Sequence, residues 1–250
     1  MQYIGGKHRI ASKILPFIIK GRKPGQPYIE PFVGGANVIW RRELLGGPRV
    51  GADANPYLIA FWKAAQKGWV PRDFTRDEYE KVKASGGAGL PPEQVFWYAT
   101  AHCISRKWFD TYWERDTASP KYYGLGFAGE FWRSVARQLP FLGSVKFVHS
   151  DYRALGYPKN SIVYCDPPYA GSTDPSSYAN GLNHGEFWEF YSRLSRHCRV
   201  FVSERRAPED WLEIWGREIQ ISCNQLNSKG RASARAAEKL FVHRDSDYFR

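Results

Sequence analysis

Four times along this chain a short apolar run halts at a carboxylate. Glu30 follows "YI", Asp53 follows "VGA", Asp151 follows "FVHS" and Asp166 follows "IVYC". Strands that end on acids place negative charge along one edge of a sheet. Two of these runs open full strand–turn–helix units, "YIEPFVGGANVIWRREL" and "PRVGADANPYLIAFWKAAQKG". Successive units of this kind need crossover connections, so they predict a parallel sheet flanked by helices. The first reads as strand, glycine turn and helix. The second reads as a strand ending at Ala52, an acidic turn, and a helix from about Pro56 to Gln66. Further strands are predicted in "SVKFVHSDYRAL", "SIVYCDPPY" and "RVFVSER", with a helix in "HGEFWEFYSRLSRHC". "EIQIS" and "KLFVHR" fit a terminal hairpin joined by a long polar loop. Near the start, the loop "YIGGKHR" leads into an amphipathic helix with Ile10, Ile14, Leu15 and Ile18 on one face.

Residues 71–142 break this rhythm. A Gly-rich, Pro-bounded loop, "ASGGAGLPP", is followed by aromatic and basic sequence with helical patterning at Arg76–Ala84, 93–105 and 130–139. No strong strand pattern interrupts them. The expected organisation is a catalytic α/β domain from 1–70 and 143–250, carrying a mostly helical insert at 71–142. A length of 250 residues suits one full-sized core plus such an insert. No apolar run approaches the ~18 residues of a membrane span, and "MQYIGGKHRIASKILPFII" has no signal-peptide core. A cytoplasmic, reducing location is the expectation. Cys103, Cys165, Cys198 and Cys223 follow no zinc spacing and read as free thiols. The six histidines form no ligand-like cluster with them, so no metal is expected.

The acids at the strand ends carry the chemistry. Glu30 stands just before the turn glycines Gly34 and Gly35. Glycine lets a backbone approach a ligand closely, and the carboxyl edge of an open α/β sheet is where ligands bind. The spacing is not G-x-G-x-x-G, and a carboxylate at this turn would repel a pyrophosphate. It attracts a cation. Asp53, at the next strand end, can accept hydrogen bonds from a ribose diol. Together they describe a site for an adenosine bearing a positive, non-phosphate group, and S-adenosylmethionine is such a molecule. Each acid has a plainer reading, Glu30 in a tight turn and Asp53 as a helix cap.

"CDPPY" then supplies the parts of a pocket for an exocyclic amino group. Such a nitrogen is a poor nucleophile because its lone pair is delocalised into the base. The Asp166 carboxylate can take one amino hydrogen and the Pro167 carbonyl the other. Pro167 and Pro168 stiffen the backbone so that both acceptors face one point. Tyr169 offers a face for stacking. In a duplex that nitrogen is hidden, so the base must be flipped out.

With these stretches in view, the chain resembles the Dam-type DNA adenine-N6 methyltransferases. "YIGGKHR", "YIEPFVGGANV", "GADANP", "HSDYRAL", "CDPPYAGS", "VFVSERRAP" and "NSKGRASARAAEKLFVH" follow that family's order across nearly the whole chain. The resemblance implies a Rossmann-like, mostly parallel sheet of the class I S-adenosylmethionine methyltransferase type. It implies cofactor contacts from Tyr3, Gly5, Lys7, Glu30, Phe32, Gly34 and Asp53, with Asp151 on the cofactor adenine, Tyr152 beside it and Asp166 nearby. It implies Asp166, Pro167, Pro168 and Tyr169 as the catalytic tetrapeptide, and a flipped adenine in double-stranded DNA as the substrate. No nuclease motif accompanies it, so a solitary enzyme without an obligate protein partner is expected.

Net charge agrees with a polyanionic partner. The chain has 36 basic and 25 acidic residues, a formal charge of +11, and 16% aromatic residues, many set among Arg and Lys. "CISRKWFDTYWERDTASPKYYGLGF" departs most from better-known family members. Arg106, Lys107 and Arg115 are candidates for phosphate or guanine contacts, with a solvated face as the alternative. Lys229, Arg231 and Arg235, in a Ser/Ala/Gly setting, are candidates for phosphate clamping. Three other readings stay open: an N4-cytosine or RNA-adenine methyltransferase, an inactive DNA-binding relic of the fold, and a nicotinamide-dependent oxidoreductase.

Overall fold

A computed structural model describes residues 1, 3, 5–103, 106–113, 126–169, 182–220 and 235–249. Its centre is a seven-stranded sheet with strands β1 (Tyr28–Glu30), β2 (Arg49–Asp53), β3 (Val145–His149), β4 (Ile162–Cys165), β5 (Arg199–Glu204), β6 (Trp211–Gln220) and β7 (Arg235–His243). The spatial order is β3-β2-β1-β4-β5-β7-β6. The first five strands in that order run parallel, and β7 pairs antiparallel with both β5 and β6. The mixed, mostly parallel sheet implied by the sequence is therefore present. Direction along the sheet reverses between β1 and β4, which lie side by side with Tyr28 opposite Ile162 and Ile29 opposite Val163. That reversal is a topological switch point, where the crevice beyond the strand ends opens.

Local chemistry explains the helices α1 (Ala11–Ile18), α2 (Pro56–Gln66), α3 (Arg76–Ala84), α4 (Pro92–Thr100), α5 (Phe127–Ala136), α6 (Leu139–Leu142) and α7 (His184–Leu194). Ile14, Leu15 and Ile18 form the buried face of α1. Asn55 starts α2 by accepting from the amides of Tyr57 and Leu58, with Pro56 in the first turn. Thr75 and Glu78 form a reciprocal capping box on α3. Asn183 caps α7 in the same way as Asn55 caps α2.

Two expected helices differ. No α-helix follows the first glycine turn; residues 37–41 form turns and a single 3-10 turn spans Arg42–Leu44. Side chains have taken the carbonyls a helix would need. The Ile39 carbonyl accepts from the Arg49 guanidinium at 2.8 Å, and the Asn37 carbonyl accepts from the Trp40 indole at 3.0 Å. In addition, α4 stops at Thr100, five residues before its predicted end. The chain turns back there, with Phe109 donating to the Ala99 carbonyl and Cys103 bridging to Tyr112.

The core runs without a break from the sheet into helices α4 and α5. Phe61 and Trp62 of α2 are fully buried; Phe61 packs on Phe96 of α4 at 4.9 Å and on Phe131 of α5 at 5.9 Å, and Trp62 stacks on Phe147 of β3 at 5.5 Å. A second apolar group, with Val163, Cys165, Phe187, Tyr191 and Val202, fills the other face of the sheet. No helix among the described residues is long and apolar enough to cross a membrane.

Candidate functional site

The acids of the sequence motifs meet at the carboxyl edge of the parallel strands. Glu30 ends β1, Asp53 ends β2, Glu204 ends β5, and Asp166 directly follows β4. Glu30 and Glu204 are nearly fully buried, at 3% and 2% exposure. A buried ammonium stands beside Asp166. Lys7, in a 3-10 turn (Lys7–Arg9), lies 2.6 Å from Asp166 Oδ1 and donates to the Gly5 carbonyl at 3.0 Å. Lys7 and Asp166 form an ion pair. Burial pushes the Asp166 carboxyl up to about 6, against the pull of Lys7.

Glu30 is the most perturbed acid at this edge. Burial pushes its carboxyl up to about 8, opposed chiefly by a hydrogen bond from the Tyr28 hydroxyl at 2.8 Å. Tyr28 and Glu30 are two residues apart on one strand, so both side chains project from the same sheet face. Burial also lifts Asp53 to about 6, while the amides of Asn55 and Gly34 hold the charge with hydrogen bonds at 3.0 and 3.1 Å. Asp53 thereby ties the glycine turn to the next strand. Trp62 braces the same turn by donating its indole N–H to the Gly34 carbonyl at 3.0 Å. Gly34 has φ +43°, and a side chain on Gly35 would strike the Met1 carbonyl at 2.7 Å. Glycine is required at both positions for separate reasons, conformation and space.

Other sequence-predicted residues sit nearby. The Tyr3 ring lies beside Gly34, and Gly5 has a positive φ of 69°. Phe32, Tyr152 and Phe187 form one aromatic group, with Phe32 5.6 Å from Tyr152 and 5.9 Å from Phe187. Asp151 is more exposed than the other acids. It caps a 3-10 turn at Tyr152–Ala154 and pairs with the Arg153 guanidinium at 2.9 Å, whose hydrogen bonds hold its carboxyl below the usual range.

Beyond Asp166, Pro167 is buried and Pro168 and Tyr169 are partly so. The Tyr169 hydroxyl donates to Glu238 of β7. Lys7 Nζ sits 4.6 Å from the Tyr169 ring centroid, and the Arg205 guanidinium sits 5.5 Å from it. Sequence reading missed Glu204, Arg205 and Glu238. Glu204 and Arg205 were within sight, since "VFVSERRAP" ends a predicted strand as the other acids do. Nothing local marks Glu238, which reaches the site only through sheet pairing.

The candidate DNA contacts separate. Arg106 is a correction: it is buried at 3% exposure and points inward. Its guanidinium donates to the Ala101 carbonyl at the end of α4 and to the Phe127 carbonyl at 3.1 Å, and lies 4.5 Å from the Phe131 ring. It caps α4 and joins it to α5, because helix-end carbonyls attract a cation. Lys107 is half-buried. Arg115, Lys229 and Arg231 lie outside the described residues; Arg235 begins β7, and its side chain is not described. Cys103, Cys165 and Cys198 are free and buried, and Cys223 lies outside the described residues. No group of three His, Cys, Asp or Glu suited to a metal occurs among the described residues.

The donor set fits an adenosyl sulfonium. Lys7 pairs with Asp166 and lies 3.8 Å from Glu238, while Glu30 and Asp53 add two further carboxyl groups to the edge, so it suits an added cation, and aromatic rings stand beside it. A phosphate would find repulsion here. Residues 3–100 match the model of the D12 class N6 adenine-specific DNA methyltransferases. No curated protein sequence matches. Among solved structures, a Thermoplasma acidophilum protein is similar at TM-score 0.46 and 12% identity, covering 94% of this chain and 89% of its own. Magnesium protoporphyrin IX methyltransferase from Synechocystis, solved with bound S-adenosylmethionine, is similar at TM-score 0.41 and 10% identity, covering 96% and 80%. The family that the motifs resemble is thus the family whose model matches, over residues 3–100, and the cofactor that goes with it is S-adenosylmethionine.

Proposed function

We propose that this protein transfers a methyl group from S-adenosylmethionine to the exocyclic N6 of an adenine flipped out of duplex DNA. The observation that carries the reading is Asp166. It is a partly buried carboxylate, its side chain 17% exposed, at the β1/β4 switch point, followed by two prolines and an aromatic ring, with a lysine ammonium 2.6 Å away. Support for adenine comes from the family match and from aspartate at the head of the motif. When bound, S-adenosylmethionine supplies a methyl group on a sulfonium, activated for direct displacement.

The chain's own residues do the rest. Lys7 lies 2.6 Å from Asp166 Oδ1, and the Asp166 carboxylate takes one amino hydrogen. The Pro167 carbonyl takes the second. Held by two acceptors, the nitrogen moves toward tetrahedral geometry and its lone pair becomes available. As the N–C bond forms the nitrogen gains positive charge, which Asp166 stabilises. A carboxyl near 6 is basic enough to accept the departing proton. Tyr169 supports the base by stacking, and Glu30 and Asp53 hold the cofactor by charge and by hydrogen bonds to its ribose.

Asp166→Ala separates chemistry from binding. Transfer to DNA should fall at least about 1,000-fold, the scale of losing both the hydrogen-bond acceptor and the base. The dissociation constant for S-adenosylmethionine, measured by titration calorimetry, should stay within about fivefold. Methylation by this variant at the wild-type rate would refute the role given to Asp166.

A further inference from the structure

A flipped base needs a ring that does not turn away. The prolines fix the backbone ahead of Tyr169, yet they leave its side-chain torsions free. The restraint comes from a distant strand. The Tyr169 hydroxyl donates to Glu238 Oε2, 69 residues further along the chain. The same oxygen lies 3.8 Å from Lys7 Nζ, and Lys7 lies 2.6 Å from Asp166. A closed circuit results: Asp166, Lys7, Glu238, Tyr169, and back through the two prolines. Its members are well shielded, with side-chain exposures of 17%, 5% and 13% for Asp166, Lys7 and Glu238. In such surroundings hydrogen bonds and ion pairs are strong, and a missing partner is costly.

The mount is rigid. Glu238 lies opposite Arg217 of β6, and the next residue, Lys239, lies opposite Glu204 of β5. Strand β7 is thus paired on both sides, and it runs antiparallel, so its early residues reach the carboxyl edge where Asp166 stands. Burial and the nearby carboxylates of Asp166 and Glu238 keep the Tyr169 phenol protonated, so it acts as the donor.

We infer that Glu238 is a positioning residue for methyl transfer, acting through the Tyr169 hydroxyl to hold the stacking ring in place. The inference rests on the methyltransferase reading. It places the effect on turnover, with cofactor affinity nearly untouched.

A mutant cycle tests it. Four proteins are compared by single-turnover methylation of unmethylated duplex DNA and by calorimetric titration with S-adenosylmethionine: wild type, Glu238→Ala, Tyr169→Phe and the double variant. Each single change should lower the rate about tenfold, the cost of a loosened near-attack geometry. The double variant should lose no more than Glu238→Ala alone, because Tyr169→Phe removes a contact that Glu238→Ala has already removed. Cofactor affinity should stay within about twofold throughout. Glu238→Gln, which keeps an acceptor for the phenol, should recover most of the rate. If Glu238→Ala melts out, Glu238→Leu replaces it. Losses that multiply, an unchanged rate in Glu238→Ala, or a Gln variant as poor as the Ala variant would each overturn the inference while leaving the methyltransferase reading intact. A wild type that forms no N6-methyladenine removes that reading and the inference together.

Discussion

Glu30 shows how a single buried acid can report on a bound cation. Its carboxyl is pushed up to about 8, from an ordinary 4.5, so the native protein holds a proton that the unfolded chain loses in between. In that window the native state binds more protons, so this residue's contribution to stability is present at low pH and is lost as pH rises through about 8. A cationic cofactor favours the ionised form, so binding below about pH 8 should release a proton. Affinity for S-adenosylmethionine should therefore tighten from pH 6 to pH 8, and calorimetry in two buffers of different ionisation enthalpy should detect the released proton. Glu30→Gln should bind more weakly, lose the pH trend, and flatten the decline of stability with pH. A wild-type affinity that does not change with pH would show that Glu30 does not face the cation. At this scale the sequence was a good guide wherever an acid ended a strand. Glu30, Asp53 and Asp166 were legible because an apolar run before an acid marks the edge of a core strand, with Glu30 buried there and the other two partly so. Arg106 misled because a positive charge in an aromatic stretch looks the same whether it meets a phosphate or a helix end.

Elements joined to their neighbours by local chemistry were equally readable. The Asn55 cap with Pro56, and the Thr75–Glu78 box, set α2 and α3 as predicted from sequence. The helix expected after the glycine turn failed because its carbonyls are claimed by side chains, the Ile39 carbonyl by Arg49 across the packing and the Asn37 carbonyl by the nearby Trp40 indole. No periodicity in residues 37–44 could show that. The same long-range bracing gives Trp62 a functional task. Trp62→Phe would keep a ring against Phe147 but remove the donor to the Gly34 carbonyl. A stability loss of about 1–3 kcal/mol is expected in urea titration, from the lost hydrogen bond and a small cavity. Because the Gly34 turn is loosened, cofactor affinity should also fall, by about threefold or more. Lower stability with unchanged affinity would mean the turn holds its shape without the indole.

Across the whole molecule, the insert proposed at 71–142 shares one apolar core with the sheet domain. Phe61 of α2 touches rings of both α4 and α5, and Trp97 stacks on Phe131 at 5.5 Å. Thermal and urea unfolding should accordingly give one cooperative transition, coincident by fluorescence and by far-ultraviolet circular dichroism. Two separated transitions would mean the helices form a unit of their own. The parallel sheet was legible as repeated grammar, and the terminal hairpin only in part, since β6 and β7 do pair but "KLFVHR" lies opposite Trp211–Gly216 and not opposite "EIQIS". The circuit through Glu238 was not, since it depends on how β7 pairs with β5 at a distance in sequence. The +11 charge states that a polyanion is welcome without saying which atom of it reacts.

That question is answered most directly by treating unmethylated plasmid DNA with the protein and S-adenosylmethionine, then reading modified bases by single-molecule sequencing. The account predicts N6-methyladenine, recurring in a defined short sequence. Modification only at cytosine N4, or none in DNA while the cofactor binds, would contradict it.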